Sequence, residues 1–227
     1  MKKLTTAFVV LTFLCTGLIA QNRPDGSTPQ GEDLKVPEGW SVRLDHPNVE
    51  TVIGDDSETA DIYFVNMTPG WHITTGPSAI FYHPENTVSG NYNIKSKIYL
   101  FDTKGRNREA FGMIFGGKNL DKENQEYVYF LIRNTGEYLI KTRAGSETAT
   151  IKGWTATDAM TMFTDKTEST AENNFEVNIS AEKITFYLND QKLTSIPSEG
   201  ISTDGIFGLR VNHSNNLHIA TLVATQK

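Results

Sequence analysis

The sequence predicts an all-β chain, folded as an antiparallel sandwich or barrel. Three observations carry this. First, short β-forming runs follow one another from Trp40 to the C-terminus, among them "ADIYFVNM", "SAIFYH", "EYVYFLIR", "NFEVNIS" and "LHIATLVA". Second, many of them alternate: in "NYNIKSKIYLF", Tyr92, Ile94, Ser96, Ile98 and Leu100 share one side, with Asn93, Lys95, Lys97 and Tyr99 on the other. That period belongs to a sheet with one buried face. Third, the intervening segments "RNTGEY", "KGRN", "AGSE" and "SNN" supply residues that tolerate the left-handed conformations of hairpins. Roughly a dozen such runs at short spacing suit a sandwich or barrel. No stretch shows a helical period, although "WTATDAMTMF" (154–163) reads as a helical turn or loop, and no internal repeat is visible.

The N-terminus is of another kind. "MKKLTTAFVVLTFLCTGLIAQN" sets Lys2 and Lys3 before an apolar run from Ala7 to Ala20, the layout of a secretory signal peptide. The run falls short of the ~20 residues that span a bilayer comfortably. Residues 1–20 are therefore expected to be cleaved after Ala20, with the chain secreted or periplasmic. A lipid anchor on Cys15 ranks below this reading, because Phe13 and Leu14 stand where that modification needs small residues. Cys15 is the one cysteine, so the cleaved chain has neither disulfide nor thiol chemistry.

Cleavage removes two lysines and no acid, which deepens the formal charge of −6. Such a balance argues against nucleic acid and anionic membrane as partners. No further segment is apolar enough to be transmembrane. Residues 21–39, "QNRPDGSTPQGEDLKVPEG", are rich in Pro, Gly and polar residues and read as a flexible leader. Residues 40–227 remain as a single β-sandwich domain, a length usual for that architecture.

Near the C-terminus, "KITFYLNDQKLTSIP" reads as a hairpin from Lys183 to Pro197. Ile184, Phe186 and Leu188 alternate inward, Asn189-Asp190 takes the turn, and Lys192 and Thr194 lie on the return strand. The order of a strand at Phe175–Ile179, this hairpin, "GIFGLRV" at Gly205–Val211 and a closing strand at Leu217–Ala224 resembles the end of concanavalin A-like sandwich domains. The stretch "GWHITTGPSAIFYHPENTVSGNYNIKSKIYLF" looks like the opening of the 3-keto-disaccharide hydrolase-like domains, a branch of that superfamily. The resemblance covers most of residues 60–225. It implies an antiparallel two-sheet jelly-roll sandwich with a concave face for ligands, and gives Gly205 and Gly208 the tasks of tight turning and close strand packing. The branch's Asn-Ser-Gly-Ile-x-x-Arg segment corresponds to "EAFGMIFGGKNL", which keeps Gly112 and Ile114 but has no Asn-Ser and no Arg.

Paired carboxylates are what glycoside cleavage needs. "DKENQE" offers Asp121, Glu123 and Glu126, similar to the Glu-x-Asp-x-x-Glu of laminarinase-type enzymes but with the first two residue types exchanged. The segment is polar on every side and reads as a solvated loop. Asp55, Asp56 and Asp61, with Glu58, gather hard oxygens of the kind that hold Ca²⁺. A structural calcium is the one metal suggested, and no cofactor is expected; a solvated acidic loop accounts for the same residues. No histidine pair has zinc spacing. His83, at a strand end before Pro84, is a candidate ligand contact, whereas His72 between Trp71 and Ile73 reads as structural and half-buried. Nucleophile elbows and phosphate-cradling loops are lacking. Asn66, Asn178 and Asn212 match the N-glycosylation pattern.

Sugars dock flat C–H faces on aromatic rings and bond their hydroxyls to polar side chains. Trp71 reads as core and Trp154 as a platform. In "EYVYFLIRNTGEYLIKTR", Tyr127, Tyr129, Leu131 and Arg133 share a face, and the return strand puts Leu139, Lys141 and Arg143 opposite Tyr138, Ile140 and Thr142. Tyr129, Arg133, Lys141 and Arg143 are expected to line a groove suited to an oligosaccharide or an acidic sugar, although packing tyrosines and solvated charges explain the same pattern. The leading functional expectation is a carbohydrate-recognising domain that binds poly- or oligosaccharide without a covalent step. The alternatives are a glycoside hydrolase of the 3-keto-disaccharide hydrolase-like branch and a structural or protein-binding module similar to laminin G-like domains.

Overall fold

A computed structural model describes Pro29, residues 34–47 and residues 50–227. The expected signal peptide with Cys15, and most of the stretch read as a leader, lie outside the described residues.

The strands in chain order are β1 (Ser41–Leu44), β2 (Ile53–Gly54), β3 (Ile62–Asn66), β4 (Trp71–Thr75), β5 (Ala79–Val88), β6 (Tyr92–Leu100), β7 (Ala110–Lys118) and β8 (Glu126–Arg133). They continue with β9 (Glu137–Ala144), β10 (Glu147–Ala156), β11 (Ala171–Ile179), β12 (Lys183–Leu188), β13 (Gln191–Pro197), β14 (Gly205–Val211) and β15 (Asn216–Gln226). The described residues contain no helix, and accordingly none long and apolar enough to cross a membrane. A seven-stranded sheet runs β1-β5-β14-β7-β8-β9-β10, and an eight-stranded sheet runs β13-β12-β11-β6-β15-β4-β3-β2. The pairings are antiparallel apart from the short parallel contact of β2 with β3. This is the two-sheet jelly-roll sandwich that the resemblance implied, one of the two architectures the strand pattern left open.

Alternation builds the interior. On β6 the buried side is Tyr92, Ile94, Ser96, Ile98 and Leu100, and on β11 it is Ala171, Asn173, Phe175, Val177 and Ile179. These face Phe81, Phe111, Met113, Phe115, Phe130 and Leu209 of the other sheet in one apolar cluster. Phe130 lies at its centre, with ring centroids 5.4 Å from Phe175 and 5.3 Å from Phe186 at steep angles, the edge-to-face packing that aromatic quadrupoles favour.

The hairpin of β12 and β13 forms as its sequence predicts. Asn189 and Asp190 adopt φ of 49° and 63°, the left-handed pair of a two-residue turn matching strand twist. Ile184, Phe186 and Leu188 are fully buried. Gly208 also serves as expected, because a side-chain carbon there would strike the Phe81 carbonyl oxygen across the β14–β5 pair.

The segment 154–163, expected as a helical turn or loop, is a loop from residue 157 onward, with Trp154–Ala156 in β10 instead. β10 continues through Ala156, and the chain then runs irregularly over the end of the sandwich. Two buried amides hold it there. Asn134 accepts from the Phe163 N–H at 2.7 Å, and Asn173 accepts from the Thr161 N–H at 3.0 Å and donates to the Thr161 carbonyl at 2.9 Å. Backbone groups bonded to side chains are not available for a helical turn.

His72 is more buried than expected, fully enclosed on the outer side of the eight-stranded sheet, with Nε2 3.2 Å from the Thr74 hydroxyl. Nearby, Leu34 packs on Ala60, Tyr63 and Val65, and the Lys35 carbonyl accepts from the Asn66 N–H at 2.8 Å. The end of the stretch read as a leader is thus docked on this sheet.

Two measurements check this account. Phe130→Ala is expected to cost about 3–5 kcal/mol in urea unfolding, whereas Asp190→Gly, which suits the positive φ, leaves stability within about 1 kcal/mol of wild type. Burial, followed by repulsion from His218, lowers the His72 pKa to about 3. The unfolded chain therefore binds a proton that the folded one refuses, and stability falls as pH drops from the ordinary histidine value toward 3, at up to about 1.4 kcal/mol per pH unit. His72→Phe is expected to flatten that slope, and an unchanged slope would count against the assignment.

Candidate functional site

Strict alternation breaks down on β7 and β8, where burial is continuous from Ala110 to Gly117 and from Tyr127 to Ile132. Phe111, Met113, Phe115, Val128, Phe130 and Ile132 point into the sandwich. Their neighbours Ala110, Ile114, Tyr127, Tyr129 and Leu131 form a second apolar cluster with Ile80, Tyr82, Leu120 and Leu139. The seven-stranded sheet therefore carries apolar side chains on its outer face as well, and these too are buried.

Arg210 stands on this face, beside Ile80 of β5 and Gly112 of β7 in the register. Its Nη1 and Nη2 donate to Asp45 Oδ1 and Oδ2 at 2.7 and 2.5 Å, a bidentate pair. Nη1 also donates to the Tyr127 hydroxyl at 3.2 Å, and the guanidinium carbon lies 5.1 Å from the centre of the Tyr129 ring. Burial works against the charge on Arg210, but the Asp45 hydrogen bond and the surrounding charges outweigh it and hold the side chain protonated. Burial raises the pKa of Tyr127, Tyr129 and Tyr82, so these tyrosines remain neutral phenols that both donate and accept. Leu120 folds back from the loop after β7, and its carbonyl accepts from Arg43 Nη1 at 3.2 Å.

The expected site residues divide into groups. Tyr129, Lys141 and Thr150 stand in one cross-strand row, and Tyr127, Arg143 and Thr148 in the next. Arg143 comes within 3.9 Å of Asp45. At the β10 side, the Arg133 guanidinium lies 4.1 Å from the centre of the Trp154 ring and donates to Glu137 at 2.7 and 2.9 Å. Trp154 retains 37% exposure. Tyr129, Arg133, Lys141, Arg143 and Trp154 are thus brought to one face. His83 is not among them, since it alternates with Tyr82 to the other side of β5, where its ring sits 6.4 Å from Trp40.

Asp55, Asp56 and Asp61 are each engaged locally: Asp55 pairs with Lys35 at 3.5 Å, Asp56 accepts from the Glu58 N–H and the Thr59 hydroxyl, and Asp61 accepts from the Val52 N–H. No group of three His, Cys, Asp or Glu side chains is placed to hold a metal among the described residues. Asp121 and Glu123 are exposed in the loop after β7, as the loop reading expects, whereas Glu126, also exposed, opens β8. A cavity of about 720 Å³ lies away from the tyrosine face, at the end of the sandwich, among Phe101, Asn107, Asn134 and Phe163. The amide of Asn134 is already committed there to Asn107 and Phe163.

Asp45, Arg210 and Arg43 are the members that sequence reasoning missed. Asp45 and Arg210 are separated by 165 positions, beyond any spacing rule. The available signal was a charged residue inside the apolar run of β14.

No family model matches the chain, and no curated protein matches it in sequence. Solved structures do match. The carbohydrate binding module CBM66 from Bacillus subtilis aligns over 83% of this chain and 96% of its own, at 12% identity and a TM-score of 0.57. The exoplasmic/lumenal domain of VIP36, in its Ca²⁺/Man-bound form, aligns over 83% of both chains at 11% identity and a TM-score of 0.54. A GH16 of the Bacteroides ovatus mixed linkage glucan PUL, in complex with a G4G4G3G product, covers 84% of this chain and 97% of its own at 10% identity and a TM-score of 0.50. These likenesses define the fold as a concanavalin A-like sandwich.

Arg210→Met strands Asp45 on a half-apolar surface and is expected to cost about 3–5 kcal/mol. A double-mutant cycle with Asp45→Asn measures the coupling, and strictly additive losses would refute the pairing.

Proposed function

We propose that this chain is an exported saccharide-binding domain whose site is the outer face of the seven-stranded sheet. The observation that carries the reading is the composition of that face: a half-exposed indole, buried tyrosines that remain neutral, and a line of guanidinium and ammonium donors over an apolar floor. The exposed Trp154 ring takes the C–H face of a sugar and the donors take its hydroxyls. The matched structures support the reading at the level of class, since a carbohydrate binding module, a Man-bound domain and a product-bound GH16 share the sandwich.

Binding without bond cleavage is favoured by the state of the carboxylates. Asp45 gives both oxygens to Arg210. Glu137 is held low in pKa by hydrogen bonds from Thr135 and Arg133. An acid that must give a proton to a glycosidic oxygen needs its pKa raised, the opposite of the Glu137 setting.

The test is a polysaccharide panel read for both retention and released sugars. Retention without release is expected, and Trp154→Ala is expected to weaken it roughly two- to tenfold, the range of an aromatic contact. Released sugar would favour a glycoside hydrolase, and retention of no member would favour a protein-binding module.

A further inference from the structure

We propose that the saccharide bound on this face is anionic, with a carboxylate or sulfate seated between Lys141 and Arg143. The proposal rests on the saccharide reading and adds to it the class of sugar.

Positive charge is in excess on this face. Arg43, Arg133, Lys141, Arg143 and Arg210 share the outer face with Asp45 and Glu137, both spent on other partners, while Asp121 acts on Tyr82 at the Arg43 side of the face. Glu137 lies 2.7 Å from Arg133, and Asp45 receives both Nη atoms of Arg210. Arg143 is left at 3.9 Å from Asp45, with its Nε on the Gly145 carbonyl at 2.9 Å. Lys141 has no hydrogen-bond or ion-pair partner among the described residues. The Nε atoms of Arg43 and Arg210 are buried and likewise unpartnered. All this positive charge stands on a chain whose formal charge is −6.

The opposite face of the molecule supplies an internal comparison. There the lysines of β6 are matched one to one, Lys95 with Glu176 at 3.1 Å and Lys97 with Glu172 at 3.0 Å. The sheet that balances its charges this way has no need of an external anion. The tyrosine-lined sheet leaves Lys141 over, and holds Arg143 only at 3.9 Å from a carboxylate already paired with Arg210.

The geometry suits a discrete anionic group. Lys141 and Arg143 are two positions apart on β9 and project to the same side, about 7 Å apart along the strand. Tyr129 and Tyr127 flank them on β8, and Thr150 and Thr148 flank them on β10. A carboxylate or sulfate between the two cations would receive charge-assisted bonds, with the exposed Thr148 and Thr150 hydroxyls on the β10 side for the rest of the sugar. Such bonds are roughly twice as strong as neutral ones, and the apolar floor beneath strengthens them further. The net negative charge of the rest of the chain opposes a bare polyanion that offers no sugar contacts.

Retention of the full chain is compared on polygalacturonate and its methyl ester, on dextran sulfate and dextran, and on polyacrylate as a polyanion without sugar. The expected result is retention of polygalacturonate or dextran sulfate, at least tenfold over the uncharged form of the same backbone and over polyacrylate. Which of the two is held tells carboxylate from sulfate. Lys141→Met and Arg143→Met are each expected to weaken retention by roughly tenfold or more, the worth of a hydrogen bond to a charged group, while Lys95→Met on the opposite face leaves it unchanged. Lys141→Met carries the test if Arg143→Met does not fold. Equal retention of charged and uncharged backbones overturns the anionic assignment while leaving the saccharide reading intact. Retention of polyacrylate equal to the glycans overturns it as plain ion exchange, and retention of nothing ends both.

Discussion

A guanidinium withdrawn almost wholly from water needs a fixed counter-charge, and for Arg210 that is Asp45. The pair reaches from the segment after the edge strand β1 across β5 to the interior strand β14. It costs desolvation on both sides, so its value lies less in net stability than in position. With the pair formed, Tyr127 and Tyr129 pack against the guanidinium, Arg143 is drawn toward the same carboxylate, and the outer face acquires a polar centre in an apolar floor.

The two sheets divide the work. Each gives one side to the shared interior, where Phe130, Phe175 and Phe186 interlock. Their outer sides differ. The eight-stranded sheet carries a closed ladder in which Asn93 and Asn178 bond Glu176 and Asn174 bonds Glu172, beside the two lysine pairs. Side chains satisfied by one another present little to a ligand. On the seven-stranded sheet the arrangement is open at Lys141 and Trp154, and there binding has something to gain.

Legibility followed the range of the contact. The hairpin of β8 and β9 declared its own geometry: alternation placed Tyr129 and Arg133 on one face, and the short Asn-Thr-Gly turn folded Lys141 and Arg143 beside them. Trp154 was read as a platform, yet the guanidinium against its ring depends on the β9–β10 register, which shifts at two points. His83 looked equally suitable from the sequence, and one step of alternation took it to the other side of β5. Within 154–163 the loop alternative held from residue 157, but nothing in those residues signals the buried amides of Asn134 and Asn173 that reach them from other parts of the chain.

By itself the sequence determined that the chain would form sheets with one face buried, because a period of two is a local property that each strand carries regardless of its partners. It also determined the turn at Asn189-Asp190, since few residues accept that backbone. Only the tertiary structure decided which outer face holds the site. That choice depended on Asp45, Arg210 and the β8–β10 cations meeting across strands remote in sequence, and on how many of their charges found partners, a sum taken only once the sheet is assembled.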